Sequence, residues 1–234
     1  MRLAIIGGGR AAWAFGSTWR RIGWPLAGVA TRSASPIASL LGTAAEIGEA
    51  DLLLLAVSDR ALHQVEIPPT RAVVFHCSGI HTAMHGGFSL HPLKALPPVG
   101  EPSDLRGTLL VFEGEHRELA QEIARAAGAR FAEIDAAAKT RYHAGAVFGS
   151  NYVAALLDIA RELIALPGTR DDIAALARSA IDNWAAHDDA RRFTGPAARG
   201  DAQVLERHER ALAESPDLAE IYRLLAARIL AATK

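Results

Sequence analysis

The sequence lacks several features that would point to particular classes of protein. It has a single cysteine, Cys77, among 234 residues, which excludes an internal disulfide. We interpret that thiol as a small buried hydrophobic group, with a nucleophilic role as the alternative. Its 25 Lys and Arg residues nearly balance its 26 Asp and Glu residues, for a net charge of -1. No basic field therefore favours nucleic acid or anionic lipid as a partner.

Long apolar runs are also missing. The longest, such as residues 52–57, cover about six residues, whereas a membrane-spanning helix needs about 20. Met1 lies directly before the first predicted strand, so we expect no cleavable signal region and a cytoplasmic protein. With 50% hydrophobic and 22% charged residues, the composition is typical of a globular chain and excludes disordered or fibrous classes.

The first half of the sequence alternates short apolar runs with candidate helices. Five runs are predicted as strands: residues 2–6, 25–31, 51–57, 71–76 and 107–112. Residues 10–21 are predicted to form the first crossover helix. This alternation is typical of βαβ units. We therefore predict an α/β domain over residues 1–135, built on a doubly wound parallel sheet.

After about residue 135 the strand-like runs stop, and Ala, Leu, Arg and Glu recur with helical periodicity. We predict a second, all-helical domain over residues 136–234. Its first helix is expected to run unbroken over residues 136–166, because this stretch lacks proline. Three further helices are predicted: residues 171–188, residues 201–213 and the stretch from residue 216 onwards.

Residues 7–12 read Gly-Gly-Gly-Arg-Ala-Ala and match G-x-G-x-x-A directly after the first predicted strand. Gly7 permits a tight turn, Gly9 lets a pyrophosphate approach the backbone, and Ala12 allows close packing of helix on strand. The helix that starts at Arg10 offers free N–H groups and a partial positive charge to phosphate. This pattern predicts a Rossmann-type dinucleotide site, with a glycine turn that binds no ligand as the alternative.

The end of the second predicted strand indicates which dinucleotide fits. NAD-specific sites carry an acidic residue there, but this sequence has Thr31, Arg32 and Ser33. A guanidinium between two hydroxyls suits the 2′-phosphate of NADP, so we predict NADP (NADPH) as the cofactor. The alternative is that Arg32 is a solvated loop residue. Val57 and Ser58, after the third strand, are predicted to line the same cleft.

Histidines are concentrated between residues 76 and 91. Imidazole and thiolate are common zinc ligands, but the spacings match no zinc pattern. We therefore predict no metal site and interpret these residues as the wall of a cleft. His91 precedes Pro92, which favours an extended backbone and is expected to aim the imidazole into that cleft.

Polar side chains interrupt the apolar first helix of the second domain. Lys139, His143 and Ser150 lie within about 40° of one another on a helical wheel, and Asn151 lies about 80° from His143. Buried polar groups need partners, so a substrate between the two domains would explain them. A structural hydrogen-bond network at that interface is the alternative.

Arg199 lies in a glycine-flanked stretch, residues 194–201. A guanidinium can hold a carboxylate through two parallel hydrogen bonds. Arg199 is therefore a candidate for substrate binding. An ion pair with Asp201 that fixes the loop is the alternative.

These segments together resemble a group of oxidoreductases. The glycine turn, the 51–59 run and the long helix are similar to the superfamily of 6-phosphogluconate dehydrogenase, ketopantoate reductase and pyrroline-5-carboxylate reductase. More narrowly, the chain resembles a Rossmann-like family whose helical C-terminal domain has no known function. The segments that carry this narrower resemblance are residues 76–79, 91–93, 142–143, 150–151 and 195–201.

The resemblance implies an NADP-linked reductase whose second domain is like the 6-phosphogluconate dehydrogenase C-terminal domain and often forms a homodimer. Hydroxyacid dehydrogenases of the superfamily place a catalytic Lys and an Asn one turn apart on the first long helix. Here Lys139 matches that Lys, but the residue four positions later is His143. The substrates of those enzymes therefore do not carry over.

The leading hypothesis is hydride transfer from NADPH to a small C=O or C=N substrate. His143 is the first candidate for the general acid, because imidazole titrates near neutral pH, and Lys139 is the second. Asn151 completes the catalytic set by orienting the substrate, and Ser150, His91 and Arg199 are predicted to bind it. The alternative is an NADP-binding sensor or scaffold without turnover.

Overall fold

A computed structural model describes residues 1–32, 35–41 and 48–233. Its strands are β1 (Leu3–Ile6), β2 (Leu26–Ala30), β3 (Leu52–Leu55), β4 (Val73–His76), β5 (Phe88–Pro92), β6 (Leu109–Gly114) and β7 (Arg130–Glu133). The helices up to residue 148 are α1 (Arg10–Arg21), α2 (Ile37–Leu41), α3 (Asp59–Leu62), α4 (Arg117–Ala127) and α5 (Lys139–Phe148). The later helices are α6 (Asn151–Ile164), α7 (Arg170–Ala186), α8 (Gly195–Arg199), α9 (Ala202–Ala211) and α10 (Pro216–Ala232).

The strands form one sheet in the order β2-β1-β3-β4-β5-β6-β7. Neighbouring strands are parallel except β5 and β6, which are antiparallel. The strand order reverses at β1, because β2 lies on one side of it and β3 on the other. Ligands of such sheets bind beyond the carboxyl ends of the strands at this switch point. The predicted Rossmann-type α/β fold is confirmed, with one antiparallel pair within it.

The central strands are buried on both faces of the sheet. Leu3 and Ile5 of β1 point to the face covered by α1 and α4, where they join Phe15 in the main core. Ala4 points to the opposite face. All four residues of β3 are buried leucines, as expected for a strand covered on both sides. Each such leucine contributes roughly 1.5–3 kcal/mol when it is fully buried.

The pattern of apolar runs does not predict β5 or β7. β5 contains the polar residues Ser89 and His91 between apolar ones and ends at Pro92, so it is not a continuous apolar run. β7 is the last strand of the sheet order, and none of its residues is fully buried. Both strands therefore carry a weak hydrophobic signal.

The single helix predicted over residues 136–166 is wrong. A short 3-10 turn at Ala136–Ala138 comes first, α5 ends at Phe148, and α6 begins at Asn151. Gly149 lies at the break and has low helix propensity. Ser150 Oγ donates to the carbonyl oxygen of Ala146 at 2.6 Å, a local bond that commonly bends helices.

Contacts divide the chain into two compact units, Met1–Tyr152 and Val153–Lys234. Residues 136–152 thus group with the sheet by contact, while the domain boundary predicted at residue 135 stays a prediction. Within the second unit, α10 packs against α8 and α9. Among the helices of the described ranges, none is long and apolar enough to cross a membrane.

Gly7 forms the tight turn between β1 and α1. Its φ is +129°, and a Cβ there would lie 2.1 Å from the carbonyl oxygen of Ala56. We expect Gly7→Ala to lower the free energy of unfolding by about 2 kcal/mol or more, because backbone must move. Urea denaturation measures this. The matched control is Gly9→Ala, where a Cβ meets nothing within 4 Å, and an equal loss in both variants would contradict the explanation.

Candidate active site

The glycine turn lies at the carboxyl end of β1, beside the strand switch point. Gly9 is exposed and precedes α1, and no described side chain caps this end of the helix. The first-turn N–H groups therefore face open space, where an anion can bind them. Arg10 is also exposed and donates to the carbonyl oxygen of Leu96 at 3.3 Å. Ala12 is fully buried in the main core.

The loops after β2 and β3 lie on either side of this turn. Ile6 pairs with Ala30 of β2 and with Leu55 of β3, so the carboxyl ends of the three strands are adjacent. The predicted cofactor residues in these loops are Thr31 and Arg32, which are exposed, Val57, which is half-buried, and Ser58, which is exposed. Ser33 lies outside the described residues. A Cβ on Gly8 would lie 3.0 Å from Thr31 Cγ2, so the loop after β2 packs against the glycine turn.

Lys139 is the first residue of α5, and its side chain is buried against the sheet with about 1% exposure. Its Nζ donates to Ser89 Oγ at 2.5 Å and to the Ser78 carbonyl oxygen at 3.3 Å. Glu113 Oε2 lies 3.9 Å away, and it also accepts from the Ala83 N–H at 2.7 Å. Burial lowers the pKa of Lys139, and the Glu113 carboxylate opposes that shift.

These bonds fix the peptide that joins Ser78 and Gly79. The Ser78 carbonyl also accepts from Ser89 Oγ at 3.1 Å. In a trans peptide the N–H points opposite to the carbonyl, so the Gly79 N–H points away from Lys139. Gly79 is buried, and its N–H has no acceptor within the described part of the chain. A buried donor of this kind is a candidate ligand contact.

His91 and His143 approach each other above Gly79. The centroids of the two imidazole rings lie 5.9 Å apart, with the ring planes at 87°. A Cβ on Gly79 would lie 2.5 Å from His143 Cδ2 and 3.1 Å from His91 Nε2. The absence of a side chain at position 79 therefore lets both rings approach the loop backbone.

Tyr142 contacts His91 from α5. Its Oη lies 2.6 Å from His91 Nδ1, and the ring planes are at 83°. Burial, with repulsion from His143 and Lys139, lowers the pKa of His91 to about 4. Burial raises the pKa of Tyr142 to about 12. Both groups are therefore uncharged at neutral pH, and the hydrogen bond joins two neutral side chains.

His76 holds the loop that follows β4. Its Nε2 lies 3.0 Å from the Thr82 carbonyl oxygen, and its Nδ1 accepts from the Ser78 N–H at 3.2 Å. The hydrogen is accordingly assigned to Nε2. Burial lowers the pKa of His76 to about 4. Burial also raises the pKa of the adjacent Cys77 to about 12, so this thiol is protonated at neutral pH and is a poor nucleophile.

The other histidines of this segment make different contacts. His81 Nδ1 lies 3.3 Å from Nε2 of His63, and His85 is exposed. No group of three or more His, Cys, Asp or Glu is arranged to hold a metal ion in residues 1–32, 35–41 and 48–233.

The structure brings Lys139 and His143 close to His91. Local contacts and exposure describe the other three candidates. Ser150 Oγ lies 2.6 Å from the Ala146 carbonyl oxygen and 3.0 Å from Asn151 Oδ1, so this hydroxyl bonds within its own turn. Asn151 begins α6 and is exposed. Arg199 ends α8 in the second unit and is exposed. The substrate roles of these three residues stay predictions.

A family profile described as "Domain of unknown function (DUF2520)" matches residues 109–229, more than half of the chain. The chain belongs to the DUF2520 family. The match runs from β6 into α10 and includes Glu113, Lys139 and His143. It confirms the predicted resemblance to a family whose helical domain has no known function.

No curated protein matches the DUF2520 chain significantly. A proposed NADP oxidoreductase from Bacteroides fragilis is similar in structure, with 22% identity, 98% of this chain and 97% of the other covered, and a TM-score of 0.82. A protein from Thermotoga maritima has 21% identity, 99% and 98% coverage, and a TM-score of 0.73. Pyrroline carboxylate reductase from Plasmodium falciparum with NADP bound has 10% identity, 100% coverage of both chains, and a TM-score of 0.53. These similarities show a shared fold.

The two lowered histidine pKa values predict acid sensitivity. Between pH 6.5 and about 4, the unfolded chain binds protons at His76 and His91 that the folded chain does not bind. Stability should therefore decrease as pH falls through this window, by an amount on the order of 3 kcal/mol for the fully buried His76.

The test is the slope of the free energy of unfolding against pH, from urea denaturation. His76→Asn removes the titrating group but keeps an acceptor for Ser78, so we expect a shallower slope whatever its effect at neutral pH. His208→Asn, at an exposed position on α9, should keep the wild-type slope. An unchanged slope in His76→Asn would rule out this origin of the acid sensitivity.

Proposed function

We propose that this DUF2520 protein is an NADP-dependent reductase that acts on a small C=O or C=N substrate. The observation that carries the proposal is the glycine turn at the strand switch point. Gly7 packs against Ala56 with a φ of +129°, while Gly9 leaves open space at the N-terminus of α1. This is the arrangement that accepts the pyrophosphate of a dinucleotide. The names of the Bacteroides and Plasmodium neighbours, which refer to NADP, support the choice of cofactor.

The loop after β2 supports NADP over NAD. Thr31 packs against the glycine turn, and Arg32 follows it with an exposed side chain. A guanidinium at this place can form charge-assisted hydrogen bonds to a 2′-phosphate, whereas no acidic residue is present there to bind a ribose 2′-hydroxyl. Ser33 is assigned the same role from the sequence.

When bound, the reduced nicotinamide supplies a hydride to the carbon of the C=O or C=N bond. The electron pair of the broken π bond goes to the heteroatom, which then needs a proton. We assign His143 as the donor, because its half-buried imidazole stands beside His91 above Gly79. Lys139 is less suited, because its Nζ already donates to Ser89 and Ser78. In this proposal it orients the site and adds positive potential.

The remaining predicted residues take supporting roles. His91 lies beside His143 next to Gly79, and we assign it to hold the reacting heteroatom. The Gly79 N–H, which has no acceptor in the part of the chain that the structure describes, is assigned as a second donor. Asn151 and Ser150 keep their predicted role in orienting the substrate. Arg199 would bind a carboxylate on substrates that carry one.

We also propose that the protein forms a homodimer through its helical unit. In α6 and α9 no residue is fully buried, and α7 buries only Ile173. Large apolar side chains are left exposed instead, with Leu176 at 65% and Trp184 at 64%. Extended apolar exposure of this kind marks an interaction surface, and a second copy of the chain can cover it across a two-fold axis.

Sedimentation equilibrium tests the dimer. We expect the wild-type mass to be twice 24.8 kDa and Trp184→Lys to sediment as a monomer, because a charge would then lie in an apolar interface. Asp182→Lys introduces the same group at an exposed polar position of α7 and serves as the control. A monomeric wild-type protein would contradict the proposal.

Calorimetric titration with NADPH, NADH and NADP+ tests the cofactor. We expect NADPH to bind more tightly than NADH, and Arg32→Ala to lose about tenfold or more in NADPH affinity while NADH affinity changes little. Arg125→Ala, at an exposed position of α4, is the matched control and should leave both affinities unchanged.

Two other outcomes are informative. Binding of none of the dinucleotides would contradict the proposed function. Binding of NADPH without its oxidation across a panel of ketones, keto acids and imines would favour the sensor or scaffold instead.

A further inference from the structure

We infer that Tyr142 fixes His91 as the Nε2–H tautomer, so that His91 is a neutral hydrogen-bond donor that selects a carbonyl or an unprotonated imine over an iminium cation. This inference rests on the proposed reductase function and narrows its substrate class. Tyr142 acts through His91 and is therefore a positioning residue.

The first step is the direction of the hydrogen bond between the two side chains. Tyr142 Oη lies 2.6 Å from His91 Nδ1. Neutral imidazole has one nitrogen that accepts and one that donates, and its lone pair is a better acceptor than a phenol oxygen. Within the described residues, Tyr142 Oη has no other hydrogen-bond acceptor. The phenol therefore donates to Nδ1, and the imidazole hydrogen lies on Nε2.

The second step is the direction in which Nε2 points. This atom has no hydrogen-bond partner among the residues that the structure describes. Nε2 lies 3.1 Å from the position that a Cβ on Gly79 would occupy. His143 Cδ2 lies 2.5 Å from the same position. The donor Nε2–H, the His143 ring and the side-chain-free face of Gly79 thus border one space.

The third step is the charge of the groups around His91. Lys139 and His143 on α5 both oppose its protonation, while Asp59 at the start of α3 favours it more weakly. Burial is the largest cause of the lowered pKa of His91, and these charges add to it, so His91 is neutral at neutral pH.

The substrate class follows because His91 donates a hydrogen bond from Nε2 and carries no charge. A carbonyl oxygen or a neutral imine nitrogen offers a lone pair to the Nε2–H. An iminium cation has no free lone pair on its nitrogen and carries a positive charge, so it would leave the Nε2–H unpaired and would be repelled by Lys139. Sites built to satisfy one hydrogen-bond polarity reject the opposite one strongly, because buried polar groups are then left without partners.

The direct test is ¹⁵N NMR of the protein labelled at histidine, with the His91 signals assigned by their loss in His91→Gln. We expect a protonated Nε2 and an unprotonated Nδ1 in the wild type, and a mixture of both tautomers in Tyr142→Phe. Tyr222→Phe is a matched control, because Tyr222 Oη lies 2.7 Å from Nδ1 of His208 with the rings at 83°. It should leave His91 unchanged.

A wild-type His91 with its hydrogen on Nδ1 would overturn the inference, as would a tautomer that does not respond to Tyr142→Phe. This measurement uses neither cofactor nor substrate. Its failure is therefore distinguishable from a failure of the proposed function, which would show as absent dinucleotide binding.

The substrate arm compares NADPH oxidation in the presence of a ketone with that in the presence of an N,N-dialkyl iminium salt, which has no N–H and cannot lose its charge. We expect reduction of the ketone only, and about a fivefold loss of kcat with little change in KM in Tyr142→Phe, since a net hydrogen bond is worth about 1 kcal/mol. His143→Gln should lower turnover but leave the His91 tautomer in place. Reduction of the iminium as fast as the ketone would overturn the selectivity.

Discussion

The candidate site depends on one buried charge, the ammonium of Lys139. Removing such a charge from water costs several kcal/mol unless its partners compensate. Here the partners are the Ser89 hydroxyl, the Ser78 carbonyl and the Glu113 carboxylate, from β5, the loop after β4, and β6. These contacts fix where α5 docks on the sheet. Tyr142 and His143 follow Lys139 by three and four positions, so they lie on the same face of α5 and meet His91.

The two parts of the site share one edge of the sheet. β1, β3, β4 and β5 are mutually parallel, so the glycine turn, the loop at Gly79 and His91 all lie at carboxyl ends of strands. The glycine turn, which we propose binds the pyrophosphate, lies at the end of β1. His91, which we propose holds the substrate, lies near the end of β5.

A structural feature can be predicted from the sequence when the residues that determine it lie close together in the chain. The glycine turn is predicted because its residues are contiguous and each has its own steric reason. The helix break at Gly149 is missed because glycine costs only about 1 kcal/mol in a helix and the competing bond of Ser150 is not visible as periodicity. The partners of Lys139 are missed because Ser89 and Ser78 lie 50 and 61 positions away in the chain.

The other site residues that the sequence does not predict also depend on contacts between distant parts of the chain. Ser89 is one polar residue in a strand, and Glu113 stands at the end of another, so neither forms a motif. Tyr142 belongs to a segment that supports the family resemblance, but its bond to His91 spans 51 positions. Gly79 is important because any side chain at this position would collide with the rings of His91 and His143. Such residues become recognisable only when the strand order is known.

The single antiparallel pair of the sheet has an electrostatic consequence. Glu113 is the fifth of six residues in β6, and because β6 runs against β5 it pairs with Ser89, the second residue of β5. A β6 that ran parallel to β5 would carry the same carboxylate about three residues further along, roughly 10 Å away. At that distance the lysine would lose its counter-ion. Reversal of one strand thus makes the buried charge tolerable.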